Sequence, residues 1–362
     1  MSEPTLGCFI TSHGFGHAAR SLSVLAELQT LVPALRFEIF TKSPYWFLKE
    51  NLDPSSFTHH DVNVDIGLVQ KSPFQHDLAA TLDRLNDFLP ISQSSIDSLS
   101  DTLAQRGCRA ILCDISALGI AVANAIGVPS ILLENFTWDW MYEEYLNEMP
   151  AFSDSIENLR SIYALANLHL QTEPVCNPRA GTFPLPPISR RFRMSRNTTR
   201  TSLDVLPKEQ LVLLTTGGIR GSYDMLDRLR ARSDVRFLLS GSSETLRRDG
   251  NLIHLPHRSG HHHPDLVRAS DAIVGKAGYG TVAETLAAGI PFAHVLRGNF
   301  RESPILGTYI DEHISGFRIS DSDFNCGSWV DRLDELISRP RHDHKMRNGA
   351  SVAATSIFPF LQ

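Results

Sequence analysis

Residues 271–289 read DAIVGKAGYGTVAETLAAG. The apolar residues after Asp271 predict a short buried strand, and the glycines that follow predict a turn. The stretch 281–288 then has helical spacing, and Gly289 is the kind of residue that ends a helix. A buried strand, a glycine loop and a helix in this order are typical of α/β folds with a parallel sheet.

The same alternation extends over the rest of the second half. Further strands are predicted at LVLLTT (211–216), VRFLLS (235–240), NLIHL (251–255) and PFAHVL (291–296), with helices at 222–232 and 264–270. The preceding run is rich in Pro, Ser, Thr and Arg, and proline disrupts both helices and sheets. We therefore predict that residues 186–210 are a linker.

The first half repeats the pattern. Strands LGCFIT (6–11) and RFEIFT (36–41) flank one predicted helix, and RAILCDI (109–115) and PSILLE (129–134) flank another that Gly127 ends. The sequence thus predicts an α/β protein of two doubly wound, Rossmann-like domains that face each other across a ligand-binding cleft. The expected divisions are an acceptor-side domain (1–185), the linker, a nucleotide-sugar domain (211–345) and a tail that crosses back (346–362).

Composition excludes several classes of protein. A chain of 362 residues is long enough for two domains, and 42% hydrophobic with 20% charged residues is ordinary globular usage. The net charge of −6 argues against bulk binding of nucleic acid. No apolar run approaches the ~20 residues of a membrane helix. The N-terminus lacks the pattern of a secretory signal, and the five cysteines are scattered, so we expect a cytoplasmic protein with reduced thiols.

The glycine turn HGFGHAA (13–19) lies between the first strand and its helix. Glycines allow a ligand to approach the backbone, and the helix N-terminus presents unpaired N–H groups. A dinucleotide site needs an acid at the end of the second strand, but that strand ends at Thr41-Lys42, which argues against NAD. His13 and His17 indicate chemistry at this turn, with helix capping as the plainer alternative.

Two further glycine loops lie in the second half, TTGGIRGS (215–222) and VGKAGYGTVAE (274–284). Neither is a Walker loop. Two anion-cradling loops in one domain fit a diphosphate. Thr281 and Glu284 have the spacing of a capping box, which would give Glu284 a structural role. The functional alternative is that Glu284 accepts hydrogen bonds from a ribose diol.

Weaker features leave alternatives open. The histidines at 254, 257 and 261–263 could suggest zinc or nickel, but they lack cysteine ligands and we expect no metal. The aromatic stripe at 138–145 predicts buried core or an aromatic wall for the acceptor. Candidate acceptor contacts are Phe15, Trp138, Trp140 and Tyr142. The arginines between 190 and 200 indicate a solvated linker, with an anionic acceptor or a membrane surface as the alternative.

Three strings carry a resemblance to a known group: SHGFGHAAR (12–20), ENFTWDWMYEEY (134–145) and the stretch 269–304 that contains the opening motif. The chain resembles the GT-B glycosyltransferases of the group that includes the lipid-linked N-acetylglucosaminyltransferase of peptidoglycan synthesis. It is more similar still to the glycosyltransferase-like N-terminal portion of the plant L-arabinokinases. Their separate kinase domain lies outside the resemblance, so kinase activity is not expected.

The resemblance implies a role for each matching position. The donor diphosphate would be held by the glycine loops, Glu284 would bind the ribose, and His254 and Leu255 would lie against the base. Arg301 and Glu302 would contact the donor sugar, although the pair departs from the acid–glutamine pattern of many relatives. The loop residues implied at the donor site are Gly217, Gly218, Arg220, Lys276, Gly278, Tyr279, Gly280 and Thr281.

The implied reaction is an inverting, metal-independent sugar transfer from a nucleoside-diphosphate sugar, and we expect the donor to be a UDP-sugar. His17 would be the base that deprotonates a hydroxyl acceptor, with His13 as the second candidate and Asp114 as the third. Expected partners are this donor and a small-molecule or lipid-linked acceptor, without nucleic acid or cofactor, and peripheral membrane contact is compatible with the pattern. The competing hypothesis is a sugar-nucleotide-binding module without turnover.

Overall fold

The computed structural model describes residues 3–71, 75–180, 182, 184–216, 225–342 and 347–362. The chain divides into two compact units, Met1–Ser189 with Arg347–Gln362, and Arg190–Met346. The predicted linker, 186–210, is divided between the units: its first four residues belong to the first unit, and 190–210 belong to the second, where Arg196–Ser202 is helical.

The first unit alternates strands and helices along the chain. Its strands are β1 (Thr5–Ile10), β2 (Arg36–Phe40), β3 (Phe57–His60), β4 (Val69–Gln70), β5 (His76–Asp77), β6 (Cys108–Asp114), β7 (Ser130–Glu134) and β8 (Leu168–Gln171). Its helices before residue 190 are α1 (Phe15–Leu31), α2 (Tyr45–Lys49), α3 (Leu78–Phe88), α4 (Gln93–Gln105), α5 (Ala117–Ile126), α6 (Trp138–Glu143) and α7 (Phe152–Tyr163), with a 3₁₀ turn at Pro54–Ser56.

Six of these strands form one parallel sheet in the order β3-β2-β1-β6-β7-β8. Strands β1 and β6 carry buried, apolar runs because helices cover both faces of the sheet. The chain turns outward in opposite directions from β1 and β6, which makes their carboxyl ends the switch point where doubly wound sheets bind ligands. The short pair β4–β5 is antiparallel and separate.

The second unit contains the predicted second Rossmann-like fold. Its strands are β9 (Gln210–Thr215), β10 (Val235–Ser243), β11 (Arg247–Asp249), β12 (Leu252–Pro256), β13 (Ala272–Lys276), β14 (Phe292–Val295) and β15 (Gly316–Arg318). Its helices are α8 (Arg196–Ser202), α9 (Leu226–Ala231), α10 (His263–Ala269), α11 (Tyr279–Ala288), α12 (Ser303–His313), α13 (Asp321–Cys326) and α14 (Leu333–Ile337), with a 3₁₀ turn at Ser328–Arg332.

The strand order of the second sheet is β11-β12-β10-β9-β13-β14-β15. All neighbours are parallel except the edge strand β11, which pairs antiparallel to β12. The switch point therefore lies between β9 and β13, next to the loop that opens α11. Gly289 ends α11 in the left-handed conformation, at φ 63°. A side chain there would also collide with the carbonyl oxygen of His342.

The C-terminal residues return to the first unit. Helix α15 (Gly349–Ile357) packs against α1, and a 3₁₀ turn at Phe358–Leu361 follows it. Ala353, Ala354 and Ile357 join the apolar core beneath the sheet, and Asn348 donates through Nδ2 to the carbonyl of Ser189 at 2.7 Å. In the parts of the chain that the structure describes, no helix is both long and apolar enough to cross a membrane.

Candidate functional site

The turn after β1 and the end of β6 meet at the switch point of the first sheet. Gly14 has a φ of 86°, which a glycine tolerates, and α1 begins at the next residue. This places His17 in the first turn of α1, where its Nδ1 lies 3.0 Å from Oδ1 of Asp114. His17 is 9% exposed, whereas Asp114 is completely buried.

Both carboxylate oxygens of Asp114 accept hydrogen bonds from neighbouring side chains. Arg20, one turn after His17 on α1, reaches Oδ2 of Asp114 through Nε at 3.0 Å and Oδ1 through Nη2 at 2.6 Å. Ser21 donates through its hydroxyl to Oδ2 at 2.6 Å. Burial alone would raise the pKa of Asp114, but the Arg20 charge and the contacts with His17 outweigh it and hold the pKa at about 2. Asp114 is therefore an anion at neutral pH.

The tautomer of His17 follows from competing contacts at Nδ1. A protonated Nδ1 donates to the Asp114 carboxylate, whereas a bare Nδ1 would accept from Nη2 of Arg20, which lies 3.1 Å away. Nη2 already donates to Asp114 at 2.6 Å, and the carboxylate is the stronger partner for an N–H group. The first arrangement leaves Nε2 of His17 with its lone pair, as a base requires.

The other two candidate bases differ from His17. Asp114 has no exposed surface and a strongly lowered pKa, so it can orient His17 but cannot touch a ligand itself. His13 is half-buried, and its ring meets Trp138 edge-on at 5.1 Å. A Cβ atom at Gly67 would lie 2.8 Å from Nδ1 of His13, so the ring of His13 can pack here only because residue 67 has no side chain.

Asp65 belongs to the same region and was not found from the sequence. It follows β3 and accepts a hydrogen bond from Nε1 of Trp138 at 2.9 Å. Burial raises the pKa of its carboxyl to about 6, against the opposing effects of Thr11, Trp138 and His17. No motif marks Asp65; the only available signal was an acid at the carboxyl end of the sheet.

The aromatic wall proposed for the acceptor is not present as an exposed surface. Trp138 is 1% exposed and Tyr142 is 0% exposed, and their rings stack on each other at 5.9 Å. The Tyr142 hydroxyl donates to the carbonyl of Gly67 at 2.7 Å, and Trp140 is buried beside them. These residues belong to the buried core, where α6 packs against α7. Phe15 is partly exposed and stacks on Phe47 at 4.6 Å.

The loop between β13 and α11 forms the corresponding site of the second unit. Gly278 is the N-cap of α11 and gives it no side-chain cap. The predicted capping box is wrong, because the helix begins at Tyr279, two residues before Thr281. Thr281 lies within the first turn, and its carbonyl accepts a hydrogen bond from Thr285 at 2.6 Å. Because Gly278 has no side chain, the N-cap residue itself cannot accept a hydrogen bond from the backbone N–H groups of the first turn of α11.

Glu284 points to partners within the second unit. Its Oε1 accepts from Nε of Arg190 at 2.9 Å, and its Oε2 lies 2.8 Å from Nδ1 of His263. Burial would raise the pKa of Glu284, but Arg190 and His263 hold it at about 2. A carboxylate has about four lone-pair positions, so two remain for further donors.

The structure describes some of the other residues predicted at the donor site. Gly217, Gly218 and Arg220 lie outside the described residues. His254 and Leu255 are buried in β12, and residue 254 is paired with strands on both sides. Glu302 is buried as the N-cap of α12, and Arg301 beside it is partly exposed.

The histidines of 254–263 do not assemble a metal centre among the described residues, where no three His, Cys, Asp or Glu side chains converge. Nδ1 of His254 pairs with the hydroxyl of Ser242 at 2.9 Å, and Nε2 of His262 lies 3.0 Å from the carbonyl of Arg191.

The arginine run is solvated only in part: Arg191 and Arg193 are exposed, whereas three others bind within the second unit. These are Arg190, Arg196 and Arg200. Arg200 is 2% exposed, and its guanidinium donates to the carbonyls of Ala269, Leu206 and Glu209. Arg196 donates to Asp271 at 2.6 Å and to carbonyls at the end of α10. These arginines hold α8 against the sheet and its connections, which a charge count along the sequence could not reveal.

Comparisons with known proteins support the fold. No protein-family model matches the sequence. The chain is 26% identical over 351 residues to L-arabinokinase of Arabidopsis thaliana, a match that covers 96% of this chain and 33% of the relative. The chain thus spans about a third of that protein's length.

Solved structures align over almost the whole chain. The glycosyltransferase of kitacinnamycin has a TM-score of 0.68 at 15% identity and 99% coverage of both chains. MurG of Acinetobacter baumannii has a TM-score of 0.58 at 13% identity, covering 98% of this chain and 99% of its own. A UDP-glucosyltransferase of Polygonum tinctorium has a TM-score of 0.61 at 14% identity, and the alignment covers 99% of this chain and 93% of its own. The two likenesses predicted from sequence are confirmed, and the chain has the GT-B fold, with two Rossmann-like domains, that these glycosyltransferases share.

Proposed function

We propose that the protein is an inverting, metal-independent glycosyltransferase that moves a sugar from a UDP-sugar to a hydroxyl acceptor. The observation that carries the proposal is the His17–Asp114 pair at the switch point of the first sheet. The anionic Asp114 fixes the tautomer that leaves Nε2 of His17 able to accept a proton. A positioned base of this kind contributes ~10²–10⁴-fold to a rate.

The reaction follows as a single displacement. Nε2 of His17 takes the proton of the acceptor hydroxyl while that oxygen attacks the anomeric carbon, and the bond to the diphosphate breaks on the opposite face. One displacement inverts the anomeric centre. The departing diphosphate gains negative charge, which the backbone N–H groups at the start of α11 can stabilise without a cation.

The second unit supplies the donor site in this proposal. Glu284 is held as an anion and keeps acceptor capacity for the ribose hydroxyls. The uracil base is supported by the Polygonum tinctorium protein, which is a UDP-glucosyltransferase. A cytoplasmic location is part of the proposal, because all five cysteines are free thiols. The proposed acceptor is a small molecule or a lipid-linked molecule that carries a hydroxyl group.

One observation favours the second candidate, a nucleotide-sugar-binding module without turnover. Nη2 of Arg20 lies 3.1 Å from Nδ1 of His17, and a hydrogen bond there would put the proton on Nε2 and remove the base. Melting temperatures measured across a panel of nucleotide sugars identify the donor, because a ligand of the native state raises the melting temperature. Release of the nucleoside diphosphate from that donor then separates an enzyme from a binding module.

A further inference from the structure

Lys276 is a buried cation at the end of β13. It is 7% exposed, and within the described residues no hydrogen bond or ion pair reaches its ammonium. Taking an ammonium out of water without a partner is costly, so buried lysines either are paired or lose their proton.

Charged groups face Lys276 from the loop after β14 and from the start of α12. Arg297 repels it, and its guanidinium sits over the ring of Phe300 at 3.3 Å from the centroid. Glu302 attracts it from the N-cap of α12. The first turn of α11, which begins three residues after Lys276, contains no acidic side chain. Within the described residues, Glu302 is the acidic group that attracts Lys276, and burial and Arg297 outweigh it.

We propose that Lys276 takes up a proton from solvent when the donor binds, and that its ammonium becomes the counter-ion of the diphosphate. This inference rests on the proposed function. Lys276 lies at the carboxyl end of β13 beside the N-terminus of α11, where the proposed diphosphate site already offers backbone N–H groups. The same ammonium would stabilise the charge that develops on the leaving diphosphate.

The electrostatics of the free protein agree with this coupling. Burial, and to a smaller extent the charge of Arg297, lower the pKa of Lys276 to about 7, although Glu302 partly opposes both. At neutral pH the free amine is thus divided between its neutral and charged forms. An added anion favours the charged form, so binding must consume protons.

The test is calorimetric titration with UDP-glucose, whose diphosphate keeps a constant charge over this pH range. With a free-protein pKa of about 7, the Kd should rise about tenfold from pH 6 to pH 8. At pH 8, repetition in two buffers of different ionisation enthalpy should reveal uptake of about 0.9 proton. If glucose does not fit, another UDP-sugar serves as the second probe, because its diphosphate is also a diester without a proton that titrates between pH 6 and pH 8.

Variants assign the effect to this residue. Lys276→Met should bind weakly at every pH and take up no proton, whereas Lys276→Arg keeps a permanent charge and should show a nearly flat pH profile. Lys208→Met, which removes an exposed lysine of the same unit, should behave like the original protein.

A flat Kd without proton uptake in the original protein would overturn the proposal, even if both variants fail to fold. So would an unchanged pH profile in Lys276→Met. Failure of any nucleotide to bind at any pH would instead contradict the proposed function.

Discussion

Arg20 and Asp114 form a two-point ion pair in the interior of the first unit, with Nε donating to Oδ2 at 3.0 Å and Nη2 donating to Oδ1 at 2.6 Å. Both side chains are completely shielded from solvent. Nη1 of Arg20 also donates to Oδ1 of Asn135 at 2.7 Å, which ties the end of β7 to the same network. The pair fixes the carboxylate that orients His17.

Asp114→Asn is expected to lower turnover by ~10²–10⁴-fold, because an amide no longer selects the tautomer with a free Nε2 on His17. It also leaves Arg20 buried without its counter-charge, which costs about 3–5 kcal/mol of unfolding free energy. Steady-state kinetics on folded protein, with urea unfolding alongside, measure both. Ser21→Ala is the control, since it removes one donor and leaves the ion pair intact. Equal turnover in Asp114→Asn and the original protein would exclude a role for this carboxylate.

Glu284→Gln should weaken nucleotide binding by ~1–3 kcal/mol if the carboxylate accepts a charged hydrogen bond from ribose. The amide keeps the size of the side chain, so its fold can be checked by circular dichroism before titration with UDP. The 2′-deoxy nucleotide provides the matched control, because the variant should discriminate less between the two ligands. A folded variant with unchanged affinity would contradict the ribose assignment.

Asp65 predicts an unusual dependence of stability on pH. Its folded-state pKa is about 6, above the ordinary value of 3.8, so the folded state binds the proton more tightly. Its contribution to stability is present below the unfolded pKa and is lost as pH rises from about 4 to 6, a loss of about 3 kcal/mol. Asp65→Asn should therefore stabilise the protein at pH 7.5 while still accepting from Trp138. Urea unfolding at pH 4 and pH 7.5 measures this; a destabilised variant at pH 7.5 would contradict it.

Chelation should not affect turnover. Backbone N–H groups at the start of α11 already provide positive potential for the diphosphate. Transfer assays with excess EDTA should therefore match those without it. Activity that disappears with EDTA and returns with manganese or magnesium would show a metal-dependent reaction.

The second fold could be predicted from sequence because its signals are local. The strand–loop–helix stretch at 271–289 is continuous in the chain, and the structure places β13 and α11 there, ended by Gly289 as predicted. The pair of doubly wound domains was predicted correctly on the same grounds. Helix α11 begins two residues earlier than predicted, since a glycine N-cap replaced the expected threonine cap.

Hydrogen-bond and ion-pair partners that lie far apart in the chain could not be predicted from the sequence. Arg20 and Asp114 are 94 residues apart, and so are Arg190 and Glu284. Arg190 and Arg196 were wrongly predicted to be solvated because their counter-charges, Glu284 and Asp271, lie far along the chain. Asp65 gave no periodic or motif signal. Only the sheet order brings such residues to one edge.

The central claim is that His17 is the base of a sugar-transfer reaction, and the turnover of His17→Gln tests it most directly. The donor is the nucleotide sugar that raises the melting temperature most, and released nucleoside diphosphate is measured with saturating donor. We expect turnover ~10²–10⁴-fold below that of the original protein, with donor affinity almost unchanged, because the proposed donor site belongs to the second unit. His13→Gln, which alters a residue packed on Trp138, should retain most of the turnover. Full turnover in folded His17→Gln would contradict the account, and loss in His13→Gln alone would transfer the role to His13.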